Sequence, residues 1–341
     1  MGEHFSGRFF RRGAAFLGCE LPFVCGGMTW VSDPALVAAV CNAGGFAALA
    51  CGNAPVEVIE RQIAETRERT AKPFAVNLIT LSPIFREQLS AVCRAGVSHI
   101  VLAGGLPRPD AIAAAKAGGA KVMCFAAAES IARMMVKHGA DALIIEGMES
   151  GGHIGVVTTT VLVQEVLFNY AEQLPVFVAG GIATGKLCAH LFMMGAAGIQ
   201  FGTLFAVAAE SCLHPATKKA YAEAVSRDAV ATPVLDNRFV VPSVRALRNK
   251  GLDAFTRLQL DLIPKLDDGS LSKVDAAHQL ENFWMGALRR AVLDGDTDNG
   301  SLMAGQSVGL VRDILPCADI LSRLASDTEA EFARVKALLL E

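Results

Sequence analysis

Eight short, uninterrupted apolar runs recur along this 341-residue chain, and they restrict its fold more than any other feature. They fall at residues 22–27 (PFVCGG), 46–50 (FAALA), 74–79 (FAVNLI), 99–104 (HIVLAG), 121–126 (KVMCFA), 142–147 (ALIIEG), 176–181 (VFVAGG) and 197–202 (AGIQFG). Runs without polar alternation read as strands covered on both faces, the condition of a parallel sheet. Between them lie helix-like stretches at 55–70, 82–95, 110–117, 128–138, 158–172 and 183–194, several ending at a glycine. Repeated strand–helix alternation predicts a closed parallel (β/α)8 barrel of the TIM type. An open doubly wound sheet would carry GxGxxG after its first strand, and no such motif stands there.

After about residue 205 the pattern changes. Residues 206–300 read as a smaller, mainly helical inserted lid or second domain, with 1–205 and 301–341 forming the barrel. The stretch 303–315 (MAGQSVGLVRDIL) reads as apolar and helical again. The apolar stretch 35–56 is broken by Asn42, Gly44-Gly45 and Gly52-Asn53, so it reads as a helix and a buried strand rather than a membrane span.

Composition narrows the function. A net charge of −3 without a basic tract argues against nucleic acid or anionic membrane as partner. With 6% aromatic residues, a base-stacking platform is not suggested. The nine cysteines form no CxxC pair and none has zinc-ligand spacing with a histidine. Buried thiols in a reducing cytoplasm fit them, and the polar start carries no signal-peptide pattern.

In a barrel of this kind the chemistry sits at the C-terminal strand ends, with phosphate often held after strands seven and eight. Gly180-Gly181 and Gly202-Thr203 occupy those ends and expose backbone N–H groups. The loop after the sixth run, EGMESGGHIG (146–155), presents one imidazole, His153, among glycines that include Gly152. Histidine titrates near neutrality and can move a proton during turnover, so His153 is the candidate catalytic group. Glu146 and Glu149 are weaker candidates; either could orient it, and solvation or the capping of a turn would explain each as well. Asn77 and Gln200 are polar residues inside apolar runs, and a buried amide requires partners that a polar-edged flat ligand would supply; an internal side-chain network is the alternative, and it stays open for Gln200. Gly26, Gly27 and Met28 end the first run, where a flat ring could lie against backbone; Gly52 and Asn53 end the second, where a tight turn explains them nearly as well. His99, His138 and His190 read as structural, His214 as a helix start or a phosphate contact, and His4 and His278 as exposed. HExxH, GxSxG and Walker A motifs are absent.

Taken together, these segments resemble the nitronate monooxygenase family (the former 2-nitropropane dioxygenases) and its relative, the FMN-dependent enoyl-ACP reductase II. The likeness runs through GGMTWVSDPALVAAVCNAGG near the start, GNAP (52–55), KPFAVNL (72–78), ADALIIEGMESGGHIG (140–155), PVFVAGGIATG (175–185), GAAGIQFGT (195–203), ESCLHP (210–215) and MAGQSVGLV (303–311). The resemblance implies non-covalent FMN held by Gly27, Met28, Asn77, Gly180, Gly181, Gly202 and Thr203, more loosely by Gln200, with His153 catalytic. NADH or NADPH would be the co-substrate, and the substrate a small molecule or an acyl-carrier-linked one. The form EGMESGGHIG with TTT (158–160), GNAP and LSP (81–83) looks closer to the enoyl reductase. Nitronate oxidation, quinone reduction and an inactive flavin-binding module are the alternatives. The chain departs from the family at Cys25, where Gln is common, at Leu204, where Arg is common, and at Gly104-Gly105-Leu106. Apolar surface on 206–300 would favour a homodimer.

Overall fold

Each apolar run becomes a strand. The computed structural model describes residues 6–52, 54–239 and 241–340, so Asn53 and His4 lie outside the described residues. In chain order the strands are β1 (Phe23–Cys25), β2 (Phe46–Ala50), β3 (Ala75–Ile79), β4 (His99–Ala103), β5 (Lys121–Ala126), β6 (Ala142–Glu146), β7 (Gly152–His153), β8 (Val176–Ala179), β9 (Gly198–Phe201), β10 (Ala229–Ala231) and β11 (Val244–Leu247). Eight of them close a parallel barrel in the order β1-β2-β3-β4-β5-β6-β8-β9. Closure comes from β9 running parallel to β1, with Val24 opposite Gln200. This is a TIM barrel.

Strand alternation sends every second residue inward. Val24, Ala75, Met123, Ile144, Phe177 and Ala179 belong to the barrel's own interior cluster, whereas their neighbours Cys25, Val76, Val122, Ile145 and Val178 pack outward under the helices. The helices begin where local chemistry starts them. Asp33 accepts from the Leu36 N–H at 2.9 Å ahead of Pro34–Asn42, and Thr184 does the same for Leu187 ahead of Gly185–Met193. The stretch expected as one helix at 158–172 is helical from Thr159 to Tyr170 but carries a five-residue π turn, Val163–Leu167.

The N-terminal end of the barrel is plugged. Helix Arg11–Leu17 inserts Leu17, fully buried, into the interior cluster. The Phe16 carbonyl accepts from Lys121 Nζ and, at 3.0 Å, from His99 Nε2, at the first residues of β5 and β4. A carbonyl only accepts, so Nε2 carries the proton, and desolvation lowers His99 to about 4. His99 is therefore a neutral structural histidine. His138, bonded at Nδ1 to the Pro107 carbonyl, and His190, 2.8 Å from Glu331, are tied into the scaffold as well.

Beyond the barrel, helices Lys250–Asp267 and Lys273–Arg289 pack with β11 around a separate apolar cluster in which Phe255 and Trp284 lie 4.3 Å apart. Strands β10, β11 and β7 form a small antiparallel sheet. The stretch 303–315 is not the expected continuous helix. Only Gln306–Leu310 turns, as a 3-10 segment, and the regular helix starts at Cys317. The reason lies at its start: the Gly305 N–H goes to Thr203 Oγ1 and the Gln306 N–H to the Glu149 carbonyl, so backbone that would open a helix is spent on the barrel mouth.

Replacing Leu17 with Ala removes a fully buried plug. Urea unfolding is expected to show a loss of about 2–5 kcal/mol. An unchanged midpoint would mean the plug does not stabilise the barrel.

Candidate active site

The C-terminal end of the barrel carries a shelf of inward-facing polar groups. Asn77 lies on β3 two residues beyond Ala75 of the interior cluster, and Gln200 on β9 is the register partner of the inward Val24. Both are nearly buried, at 7% and 8% exposure, yet neither side-chain amide makes a hydrogen bond among the described residues. Glu146 ends β6, two residues past the inward Ile144, and its carboxyl likewise has no hydrogen-bond or ion-pair partner there. Glu146, Ala179 and Gln200 are register partners across β6, β8 and β9. Only the Ala179 methyl therefore stands between the carboxyl and the amide, which are two strands, roughly 10 Å, apart. Glu146 is half-buried by accessible surface, but protein crowds its carboxyl, and desolvation raises it to about 8.

Glycines keep the space above this shelf clear. A Cβ on Gly27 would stand 2.6 Å from Asn77 Cβ, and one on Gly26 would stand 3.2 Å from Gln200 Cδ. The β1 turn is held by Ser32, whose Oγ donates to the Gly26 carbonyl at 2.7 Å and accepts from the Met28 N–H at 3.0 Å. This fixes Met28 beside Gly202, with Sδ 3.8 Å from where a Cβ there would lie. Gly180 and Gly181 adopt left-handed φ values of 98° and 74°, which L side chains disfavour. Thr203 Oγ1 accepts from the Gly305 N–H at 3.0 Å, so its own proton remains available to donate.

His153 arrives from a different direction. It forms β7, pairs with Val244 of β11, and is half-exposed. Its Nε2 lies 3.5 Å from Glu281 Oε1 on helix Lys273–Arg289. Nearly buried Arg245 of β11 pins the loop leading to it, donating from Nε and Nη2 to the Met148 carbonyl at 3.1 and 2.9 Å and from Nη1 to the Ala229 carbonyl at 2.7 Å. Gly152, at φ 73°, gives the loop its turn into β7.

Neither of the two acidic residues that could have oriented His153 contacts it. The Glu149 carboxylate accepts the Thr159 N–H at 3.0 Å and lies 2.9 Å from Thr159 Oγ1, at the start of the next helix, where a negative charge is favoured. Thr159 Oγ1 also lies 3.0 Å from the Gly180 carbonyl, and its single proton serves one acceptor at a time. Glu146 makes no ion pair with His153. His214 is a helix cap, its Nδ1 accepting from the Ala216 N–H at 3.2 Å. Of the departures from the family pattern, Cys25 is fully buried and burial pushes its thiol up to about 12, while Leu204 packs on the core. Gly104 and Gly105 have φ of 63° and 148° and pass against Ile79 and Leu81.

Sequence reasoning did not find Arg245, Glu281 or Trp30. Arg245 had a weak signal, a lone charge in the apolar stretch 239–247, whereas Glu281 is one of many acids on a charged helix. Among the described residues Trp30 alone combines a side chain with a left-handed φ, 67°, and its carbonyl accepts the Cys212 thiol proton at 3.1 Å. Also among the described residues, no helix is long and apolar enough to cross a membrane, and no group of three or more His, Cys, Asp or Glu is placed to hold a metal ion.

A parallel barrel with glycine turns, unpartnered amides and one imidazole at its C-terminal end defines a barrel enzyme. Comparison with known proteins makes the class specific. The family model described as nitronate monooxygenase matches residues 12–91 and 80–327, and the chain belongs to that family. It is 31% identical, over 91% of this chain and 93% of the relative, to the (3aS,4S,5R,7aS)-5-hydroxy-7a-methyl-1-oxo-octahydro-1H-indene-4-carboxyl-CoA dehydrogenase of Rhodococcus jostii. It is 29% identical, over 91% and 97%, to the nitronate monooxygenase of Pseudomonas aeruginosa. The solved structure of FabK from Thermotoga maritima superposes with a TM-score of 0.84 at 35% identity, covering 96% of this chain and 98% of that one. The protein is thus an oxidoreductase.

Substituting Arg245 with Leu leaves the Met148 and Ala229 carbonyls without their donor. A stability loss of about 2–4 kcal/mol is expected, together with faster hydrogen exchange at the amides of residues 147–153. Unaltered exchange there would show that the loop does not depend on this clamp.

Proposed function

We propose that this protein is an FMN-dependent oxidoreductase that uses NADH or NADPH to reduce the double bond of 2-enoyl thioesters. The observation that carries the flavin is the shelf itself. Asn77 and Gln200 are nearly buried amides without partners, and each abuts a glycine that leaves the space above it open. Their polar atoms still reach solvent at the barrel mouth, and the carbonyls and ring nitrogens of an isoalloxazine would bond both in place of water. The residues present therefore fit the cofactor. Gly27 and Met28 would lie along the ring, Gly180, Gly181, Gly202 and Thr203 would offer N–H and hydroxyl donors to the ribityl phosphate, and Gly152 would keep the facing loop close.

Bound FMN would supply the hydride to the β-carbon. His153 would deliver the proton to the α-carbon, or donate to the thioester carbonyl. Glu281, 3.5 Å from Nε2, would steady the imidazole through an ion pair whenever it is protonated. The segment 206–300 would act as a lid, since β11 and Glu281 both hold the loop that bears His153. Support for thioester chemistry comes from the Rhodococcus relative, whose name specifies a carboxyl-CoA compound, and from the EGMESGGHIG form of the loop. The Pseudomonas relative favours a second reading in which His153 is the base toward a nitroalkane and the nitronate is oxidised with O2.

The purified protein is expected to be yellow. Anaerobic NADH or NADPH should bleach it, and a 2-enoyl thioester should restore the colour. Bleaching by a nitronate and not by a nicotinamide would favour the second reading, and colourless protein that takes up no FMN would end both. His153→Ala is expected to keep its flavin and lose turnover by about 100-fold or more. Full activity of that variant on every substrate would remove the catalytic assignment.

A further inference from the structure

Asn77 and Gln200 have an evident use on the barrel shelf, but Glu146 does not. Its side chain points inward at the mouth, it stands one strand from Ala179 and two from Gln200, and it has no hydrogen bond or ion pair among the described residues. Its strand neighbours supply no charge: the residues facing this stretch from β5 and β8 are Phe125, Ala126 and Ala179. Helix Thr159–Leu162, packed against β6, presents uncharged residues, and the π turn Val163–Leu167, which also packs there, carries one acid, Glu165, exposed to solvent and adding no positive charge. On the following loop the Glu149 carboxylate is turned to Thr159, Arg245 is spent on the Met148 and Ala229 carbonyls, and His153 faces Glu281. An ionised carboxyl placed so, with neither donor nor cation, is expensive.

We propose that Glu146 is a proton-coupling group of the flavin site: a neutral carboxylic acid that donates a hydrogen bond to the bound ring and whose ionisation opposes reduction. This rests on the FMN reading above. The charge balance is simple. A hydride from a nicotinamide adds two electrons and one proton to the ring, leaving one extra negative charge beside Glu146. Where Glu146 is already neutral, nothing further is taken up. Where it is ionised, the new charge draws one proton from solvent onto the carboxylate, converting RCOO⁻ to RCOOH. By linkage, the flavin must then become harder to reduce as the pH rises through the ionisation of Glu146. Desolvation puts that ionisation at about 8 before any ring covers the shelf, and further covering moves it in the same direction. At neutral pH the group is thus protonated and a donor.

The test compares wild type with Glu146→Gln, a near-isosteric side chain that donates but cannot ionise. The midpoint potential of the FMN-loaded proteins is followed by photoreduction against reference dyes, from mildly acid to mildly alkaline pH. The expected result is coincident curves on the acid side. On the alkaline side wild type steepens by one additional proton per two electrons, and the variant, lacking that break, is the more easily reduced. Parallel curves throughout would overturn the proposal while leaving the FMN reading intact. A second readout needs no cofactor: the infrared difference between wild type and Glu146→Gln should contain a protonated-carboxyl C=O band at neutral pH. A carboxylate signature in its place would equally overturn it. If the Gln variant does not take up FMN, Glu146→Asp keeps a titratable group on the shelf and should retain the break; its absence counts against the proposal. Wild type that binds no FMN would instead remove the cofactor reading.

Discussion

The inward turn of every second strand residue is the constraint from which this site follows. Once β9 closes against β1, the barrel interior must be filled from eight strands at once. Lower down, Ala75, Ile144 and Phe177 fill it with hydrocarbon, and Leu17 seals the far end. At the mouth the same positions pass to Asn77, Glu146 and Gln200, whose side chains make no hydrogen bond or ion pair among the described residues. The periodicity that builds the core below thus turns polar groups toward the mouth above, where Gly26 and Gly27 let the β1 turn pack against Gln200 and Asn77, and Gly180 and Gly181 let the β8 turn pack against the 147–149 loop.

Two different mechanical supports meet there. The shelf belongs to the barrel, whose strands are fixed by parallel ladders on both sides. The imidazole belongs to a loop held by a small antiparallel sheet, by three hydrogen bonds from Arg245 and by a helix of the other apolar cluster. The shelf and the imidazole thus rest on separate bodies of packing, so either can change without disturbing the other.

Much of this was legible in the chain. All eight barrel strands stand where continuous apolar runs predict them, because strands covered on both faces need no alternation, and several are closed by a glycine just past their end. Asn77 and Gln200 were legible as amides set within otherwise apolar strands. What escaped were pairings set by tertiary structure. Nothing local links His153 to Glu281, which is separated from it by β8, β9 and the first helix of the second cluster. Glu149 looked equally suited to the imidazole, but the start of the adjoining helix offers its carboxylate a backbone N–H and a hydroxyl, and this nearer demand wins. The segment at 303–315 misled for a similar reason. Its composition suits a helix, but Thr203 and the Glu149 carbonyl compete for the N–H groups of Gly305 and Gln306.

The pairing of β7 with β11 has a consequence for how such an enzyme changes over evolutionary time. This two-residue strand takes its position from β11, from the Arg245 clamp and from Glu281, so an insertion, deletion or slippage in β11 displaces the imidazole without touching the chain that bears it. The placement of that side chain can consequently be reset from a distant stretch of sequence, while the glycine-rich loop stays letter for letter the same.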